Sequence, residues 1–217
     1  VVDSFTGCAG QRCMAASLML AVGQVDHLIT KIADTTRSLE LGSQMGAIID
    51  KAALGRITSA IAQAEKQGAK ILVDGRNAKP PKGFEGGNWI GPTIIDHATP
   101  DMECAKLEIF GPVITIVRVK NLTEAMALEA KNPFGNATSV FTTSGAVARF
   151  VSDTATNGMI GVNIGVPVPR EPFSFGGSKE SKFGVCDITG ESSLEFWTQR
   201  KKITIKWAEQ SDATWMS

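Results

Sequence analysis

Short runs of β-branched and apolar residues alternate with amphipathic stretches of helical period along most of this chain. That alternation constrains the fold more than any other feature. The densest run is "PVITIVRVK", where Val113, Ile114, Thr115, Ile116, Val117 and Val119 all branch at Cβ and suit an extended strand. "AKILVDG", "WIGPTIID", "ATSVFTT" and "GMIGVNIGVPVP" form further strands, the last broken by prolines. "AASLMLAVG" is a buried strand or a short helix running into one. Between them, Val25, Leu28, Ile29 and Ile32 recur at helical spacing up to Arg37. Leu54, Ile57, Ile61 and Ala64 form a second stripe, with Asp50 as N-cap and Gly68 as the stop. "LTEAMALEAKN" and the segment after Ser144, carrying Val147, Phe150 and Val151, complete the helices. Strands alternating with helices of this length specify βαβ units: an α/β fold with a mostly parallel sheet and flanking helices on both faces.

"RNAKPPKGFEGGNW" is rich in Pro, Gly and charge and is expected to be a hairpin excursion, not a linker between domains. "EFWTQRKKITIKW" alternates, and is expected to form a late edge strand whose Lys201, Lys202 and Lys206 block improper pairing or meet a partner subunit. The chain opens "VVDSFTG" without Met and reaches its most chemically suggestive motif within a dozen residues, so it is expected to be a fragment of a longer protein.

Bulk properties exclude several functions. Lys plus Arg and Asp plus Glu number 22 each, so there is no basic surplus to meet nucleic-acid phosphates. No apolar run is long enough to cross a bilayer as a helix, and no membrane association is expected. Cys8, Cys13, Cys104 and Cys186 lack paired-ligand spacing, and His27 and His97 are isolated, so no metal site is expected. Four unpatterned thiols suit a reducing, intracellular compartment.

In "GCAGQRCMAAS", Cys13 follows Arg12, whose fixed charge favours a thiolate. "QRCMAASLML" could open a helical turn whose free amides face the sulfur and later an oxyanion. On these residues alone, a cysteine among Ala, Met and Leu is more often core filling, and Cys8 among Gly and Ala more so still. In "LEIFGPV", Glu108 is an acidic residue inside an apolar stretch. It could accept hydrogen bonds from a ribose while Phe110 packs on a flat ring, or it could be a solvated loop-edge carboxylate. "PFSFGGSKESKFG" does not match the phosphate-binding GxxxxGK[ST] pattern, which favours a plain turn.

The ordered set "GQRC", "LEIFGPV", "NPFGNATSVFTT" and "FSFGGSKESKFG" resembles the C-terminal half of the aldehyde dehydrogenase superfamily over essentially the whole chain. "AGQRCMA", "GVNIGVPVP" and "FSFGGSK" look like its CoA-acylating, methylmalonate-semialdehyde-oxidising branch. The resemblance implies that Cys13 is the nucleophile, that Glu108 with Phe110 holds the nicotinamide ribose of NAD, and that Arg12 holds the substrate carboxylate. It further implies a thioacyl-enzyme transferred to coenzyme A with loss of carbon dioxide, giving propionyl-CoA or acetyl-CoA. Residues 1–192 would then be the catalytic domain, its NAD-binding domain lying upstream, and residues 193–217 the C-terminal strand and tail of an oligomerisation arm. A homo-oligomer, dimer or tetramer, is implied, cytoplasmic in a bacterium or in the mitochondrial matrix of a eukaryote. A CoA-independent dehydrogenase, a thiol hydrolase using His97 as base, and a non-catalytic oligomerisation module stand as alternatives.

Overall fold

A computed structural model describes residues 1–207. The chain starts in a short helix, α1 (Val2–Thr6), and passes through a tight turn to strand β1 (Leu18–Val22). Helices α2 (Asp26–Arg37) and α3 (Lys51–Lys66) follow, then β2 (Lys70–Val73), β3 (Thr93–Asp96), the single turn α4 (Glu103–Lys106), β4 (Val113–Val119) and α5 (Leu122–Lys131). The remainder comprises β5 (Phe134–Gly135), β6 (Ala137–Val140), α6 (Gly145–Thr154), β7 (Met159–Val162), β8 (Ser178–Lys179) and α7 (Ser193–Trp197).

Strands β1, β4, β3 and β2 form one sheet in that order. β4 runs parallel to both β1 and β3, and only β2, paired antiparallel with β3, reverses direction. The Pro- and Gly-rich segment is therefore the hairpin connection the sequence suggests. Its base is fixed by Arg76, which forms ion pairs with Asp74 and Glu65. β6 and β7 form a separate parallel pair, and β5 pairs antiparallel with β8.

The period of two in β4 explains how one strand serves two cores. Val113, Val117 and Val119 enter a cluster with Ile57 and Ile61 of α3. Ile114 and Ile116 face the other way, onto Phe5 of α1 and Ile29 and Ala33 of α2. Each fully buried branched side chain contributes about 1.5–3 kcal/mol relative to exposure. The sheet is thus covered on both faces, as a parallel sheet must be.

Helix α3 obeys its sequence signals. The Asp50 carboxylate accepts from the Ala53 N–H at 2.7 Å, and Gly68 leaves the helix at φ +100°. Ser144 caps α6 in the same way, accepting from the Val147 N–H at 3.3 Å. The expected strand over "EFWTQRKKITIKW" does not form within the described residues. Residues 193–197 are helix α7, residues 198–207 pair with no strand among the described residues, and the rest of the tail lies outside them. Alternation alone carried that expectation, and Ile203, Ile205 and Trp207 are exposed with no sheet edge beside them.

Candidate active site

Cys13 is exposed, which removes the reading of this sulfur as core filling. It lies in a single turn closed by the Ala15 N–H donating to the Arg12 carbonyl at 3.0 Å. No helix opens there. The residues after the turn run straight into β1, whose apolar side chains are recruited by the sheet, so the expected helical dipole is replaced by individual amides. One such amide is the N–H of Cys13 itself, which donates to no partner among the described residues. Cys8 also differs from expectation. It is exposed and left-handed at φ +54° instead of packed.

Arg12 folds back along α1. Its Nη2 lies 3.4 Å from the Asp3 carbonyl, and its buried Nε has no partner. Gly7 makes room for it, because a Cβ there would stand 2.7 Å from Nη2. Gln11 uses both ends of its amide on the loop before α3, donating to the Ala47 carbonyl at 3.4 Å and accepting from the Ile49 N–H at 3.0 Å.

The turn bearing Cys13 precedes β1, and "LEIFGPV" precedes β4, the strand that β1 pairs with in parallel. Both loops therefore emerge at the same end of the sheet. They touch at Gly10, φ +66°, where a Cβ would fall 1.9 Å from the Gly111 carbonyl oxygen. His97 follows β3 at the opposite end and sits 3.8 Å from Asp96. It is on the wrong side of the sheet to act as a base for Cys13.

Glu108 lines a groove of about 290 Å³ together with Arg56, Ser59, Gln63, Glu103 and Cys104. Desolvation raises the pKa of Glu108, and the Arg56 charge opposes that shift. Arg56 also donates to the Ile109 carbonyl, tying α3 to this loop. Phe110 adopts φ +54° and remains 39% exposed, so its ring is available to a ligand. A carboxylate that accepts hydroxyl hydrogen bonds, an exposed ring and a nearby cation are groups that fit a nucleotide's ribose and nicotinamide. The "GGSKESK" loop is occupied in structure: Lys179 Nζ donates to the carbonyls of Glu129, Ala130 and Asn132 at 3.2, 3.3 and 3.0 Å. It caps the C-terminus of α5.

Sequence reasoning missed Arg56, Gln11 and Asn136. The last donates from Nδ2 to the Cys13 carbonyl at 2.8 Å across 123 positions. No local pattern announces a contact of that separation. Among the described residues, no group of three or more His, Cys, Asp or Glu is arranged to hold a metal ion. No helix there is long and apolar enough to cross a membrane.

An exposed thiol and a groove-lining carboxylate, on two loops that touch at one end of a parallel sheet, are groups suited to thiol-based oxidation of a carbonyl. The aldehyde dehydrogenase family profile matches residues 1–203, and the chain belongs to the aldehyde dehydrogenase family. It is 41% identical over 220 residues to the mouse acylating, mitochondrial methylmalonate-semialdehyde/malonate-semialdehyde dehydrogenase, covering 99% of this chain and 41% of that protein. To the malonate-semialdehyde dehydrogenase of Pseudomonas aeruginosa it is 39% identical over 213 residues, or 94% of this chain and 43% of that one. Its structure superposes with a TM-score of 0.90 on a Sinorhizobium meliloti 1021 protein, provisionally described as a methylmalonate-semialdehyde dehydrogenase and solved complexed with NAD. The identity there is 40%, over 96% of this chain and 44% of that chain. The chain thus spans about two fifths of the length of the relatives it matches.

Proposed function

We propose that this chain carries the nucleophile of a NAD-dependent, CoA-acylating dehydrogenase that oxidises malonate or methylmalonate semialdehyde. The exposure of Cys13, with its own unpartnered N–H beside it, carries the reading. The acylating relatives support the choice of substrate and acceptor. Arg12 is assigned to the substrate carboxylate, because a guanidinium next to the nucleophile can fork to that group and orient the aldehyde carbon over sulfur. Glu108 and Phe110 are assigned to the nicotinamide ribose and ring.

The Cys13 thiolate adds to the aldehyde carbon, and the Cys13 N–H meets the resulting oxyanion. Collapse of that adduct expels a hydride, for which NAD is the acceptor when bound, and leaves a thioester on Cys13. The acyl group then passes to the CoA thiol. The carboxylate that Arg12 held departs as carbon dioxide, with a proton taken up at the adjacent carbon. Residues 1–192 are assigned to catalysis and 193–217 to a homo-oligomer contact, dimeric or tetrameric. The setting is the bacterial cytoplasm or the mitochondrial matrix.

The test is product analysis on the intact protein with semialdehyde and NAD, with and without CoA. Acyl-CoA and carbon dioxide formed only with CoA, and turnover lowered at least roughly 10⁴-fold by Cys13→Ala, are expected. A free acid formed at full rate without CoA overturns the acylating assignment, and turnover by Cys13→Ala overturns the nucleophile.

A further inference from the structure

Cys13 lies between two peptide planes, and each is held by one hydrogen bond. The preceding plane is fixed by the Ala15 N–H on the Arg12 carbonyl at 3.0 Å. The following plane is fixed by Asn136 Nδ2 on the Cys13 carbonyl at 2.8 Å. A carbonyl only accepts, so the orientation of the Asn136 amide is determined by its partner. Because a trans peptide is planar, the Cys13 N–H points away from the Arg12 carbonyl that the turn has captured. With both planes held, the backbone at Cys13 is held too, and the sulfur keeps only its side-chain rotation.

Asn136 is itself anchored. Its carbonyl accepts from the Met159 N–H at 3.2 Å, and Gly135 before it pairs with Ser178. Ser178 Oγ lies 3.1 Å from the Gly135 carbonyl and 2.7 Å from that of Thr156. Lys179, next in line, is fixed on the α5 carbonyls. The amide nitrogen also lies 3.2 Å from Sδ of Met14, which is buried at 7% exposure. The side chain of Asn136 is therefore a strut from a braced strand pair to the back of the nucleophile.

Resting on the dehydrogenase reading above, we propose that Asn136 is a positioning residue that holds the Cys13 peptide so that sulfur and N–H face the same incoming carbonyl. Without it, the peptide after Cys13 is free to rotate, the Arg12–Ala15 turn that runs through that peptide opens, and the plane carrying the Cys13 N–H is released from its setting against the sulfur. Access to the sulfur and recognition of the substrate carboxylate do not depend on this strut.

The experiment compares Asn136→Ala and Asn136→Leu with the unaltered intact protein; Leu keeps the branched heavy-atom outline of Asn, with greater bulk, but donates nothing. The readouts are the pre-steady-state burst of NADH, the KM for semialdehyde, alkylation of Cys13 by iodoacetamide across pH, and the melting temperature. The expected result is a burst slowed about tenfold in both variants, the scale of one lost hydrogen bond in the transition state. The KM and the limiting alkylation rate should stay within about twofold, because displacement of iodide needs no oxyanion donor. A burst at the unaltered rate in either variant overturns the proposal. So does recovery by Leu alone, which assigns Asn136 to packing, or a parallel loss of burst, alkylation and melting temperature, which assigns it to general stability. An intact, unaltered protein that oxidises no aldehyde fails at the parent reading, which separates that failure from a failure of the strut.

Discussion

Gly10 and Gly111 meet back to back: any Cβ on the first would overlap the carbonyl of the second, at 1.9 Å. The loop carrying Cys13 and the loop carrying Glu108 thereby share one wall. That contact joins two motifs separated by a hundred residues of chain, and it admits no side chain larger than hydrogen.

Replacement of Gly10 by Ala is therefore expected to separate the loops. Positive φ and steric overlap together cost roughly 2–4 kcal/mol. Thermal denaturation of the intact protein should report the loss. The dissociation constant for NAD should rise in the folded fraction, since Glu108 would move relative to Cys13.

Arg12→Leu should raise the KM for carboxylated aldehydes about 10–100-fold while changing that for propanal little, the scale of a charge-assisted fork. Gly7→Ala should give a weaker version of the same split, because its Cβ displaces the guanidinium from 2.7 Å. Steady-state kinetics with the two aldehydes check both. Equal changes for both substrates would remove Arg12 from the carboxylate.

Burial lifts the Glu108 carboxyl above its ordinary range, against the pull of Arg56. A raised acid binds its proton more tightly in the folded state, so folding gains stability as pH falls through the folded value. Above the folded value the ionised carboxylate costs the fold stability. Glu108→Gln is expected to melt no lower than the unaltered protein at pH 7, with any advantage gone below about pH 4, yet to bind NAD more weakly. Calorimetry at the two pH values and a NAD titration check this.

At the other end of the sheet, Arg118 bridges Asp96 at 2.9 Å and Asp26 at 2.7 Å. Burial works against ionisation of Asp96, but the Arg118 and His97 hydrogen bonds outweigh it and hold the carboxyl below its usual range. A depressed acid contributes stability that is complete above the unfolded value, about pH 4, and that disappears as pH falls through the folded value. Arg118→Leu should cost about 2 kcal/mol at pH 7, less than a sealed ion pair because Arg118 keeps 28% exposure. That difference should shrink in acid melts below pH 4. A constant difference at every pH would assign the effect to packing.

The elements that local rules control were legible in the sequence. Asp50, Ser144 and the Leu54–Ala64 stripe each act within one or two helical turns, and the structure follows them. The doubly buried character of β4 was legible because branching at consecutive positions leaves no solvent face. The motif order brought out Cys13, Arg12, Glu108 and Phe110, but nothing local revealed what holds them. Asn136 reaches Cys13, and Arg56 reaches Ile109, across separations that only the folded sheet closes. Over residues 198–207 the alternating pattern has no neighbouring strand among the described residues, and a period of two needs such a neighbour to become a sheet edge.

Leu18 stands opposite Thr115 in the ladder, and Cys13 and Phe110 each precede that pair by five positions. The ladder thus fixes the register of the two strands from which both loops depart. A slip of one rung would shift the root of one loop against the other by about 3.3 Å, as much as the separation of two reacting atoms. The mutual placement of the two loops is in this way inherited from the alignment of two strands beneath them.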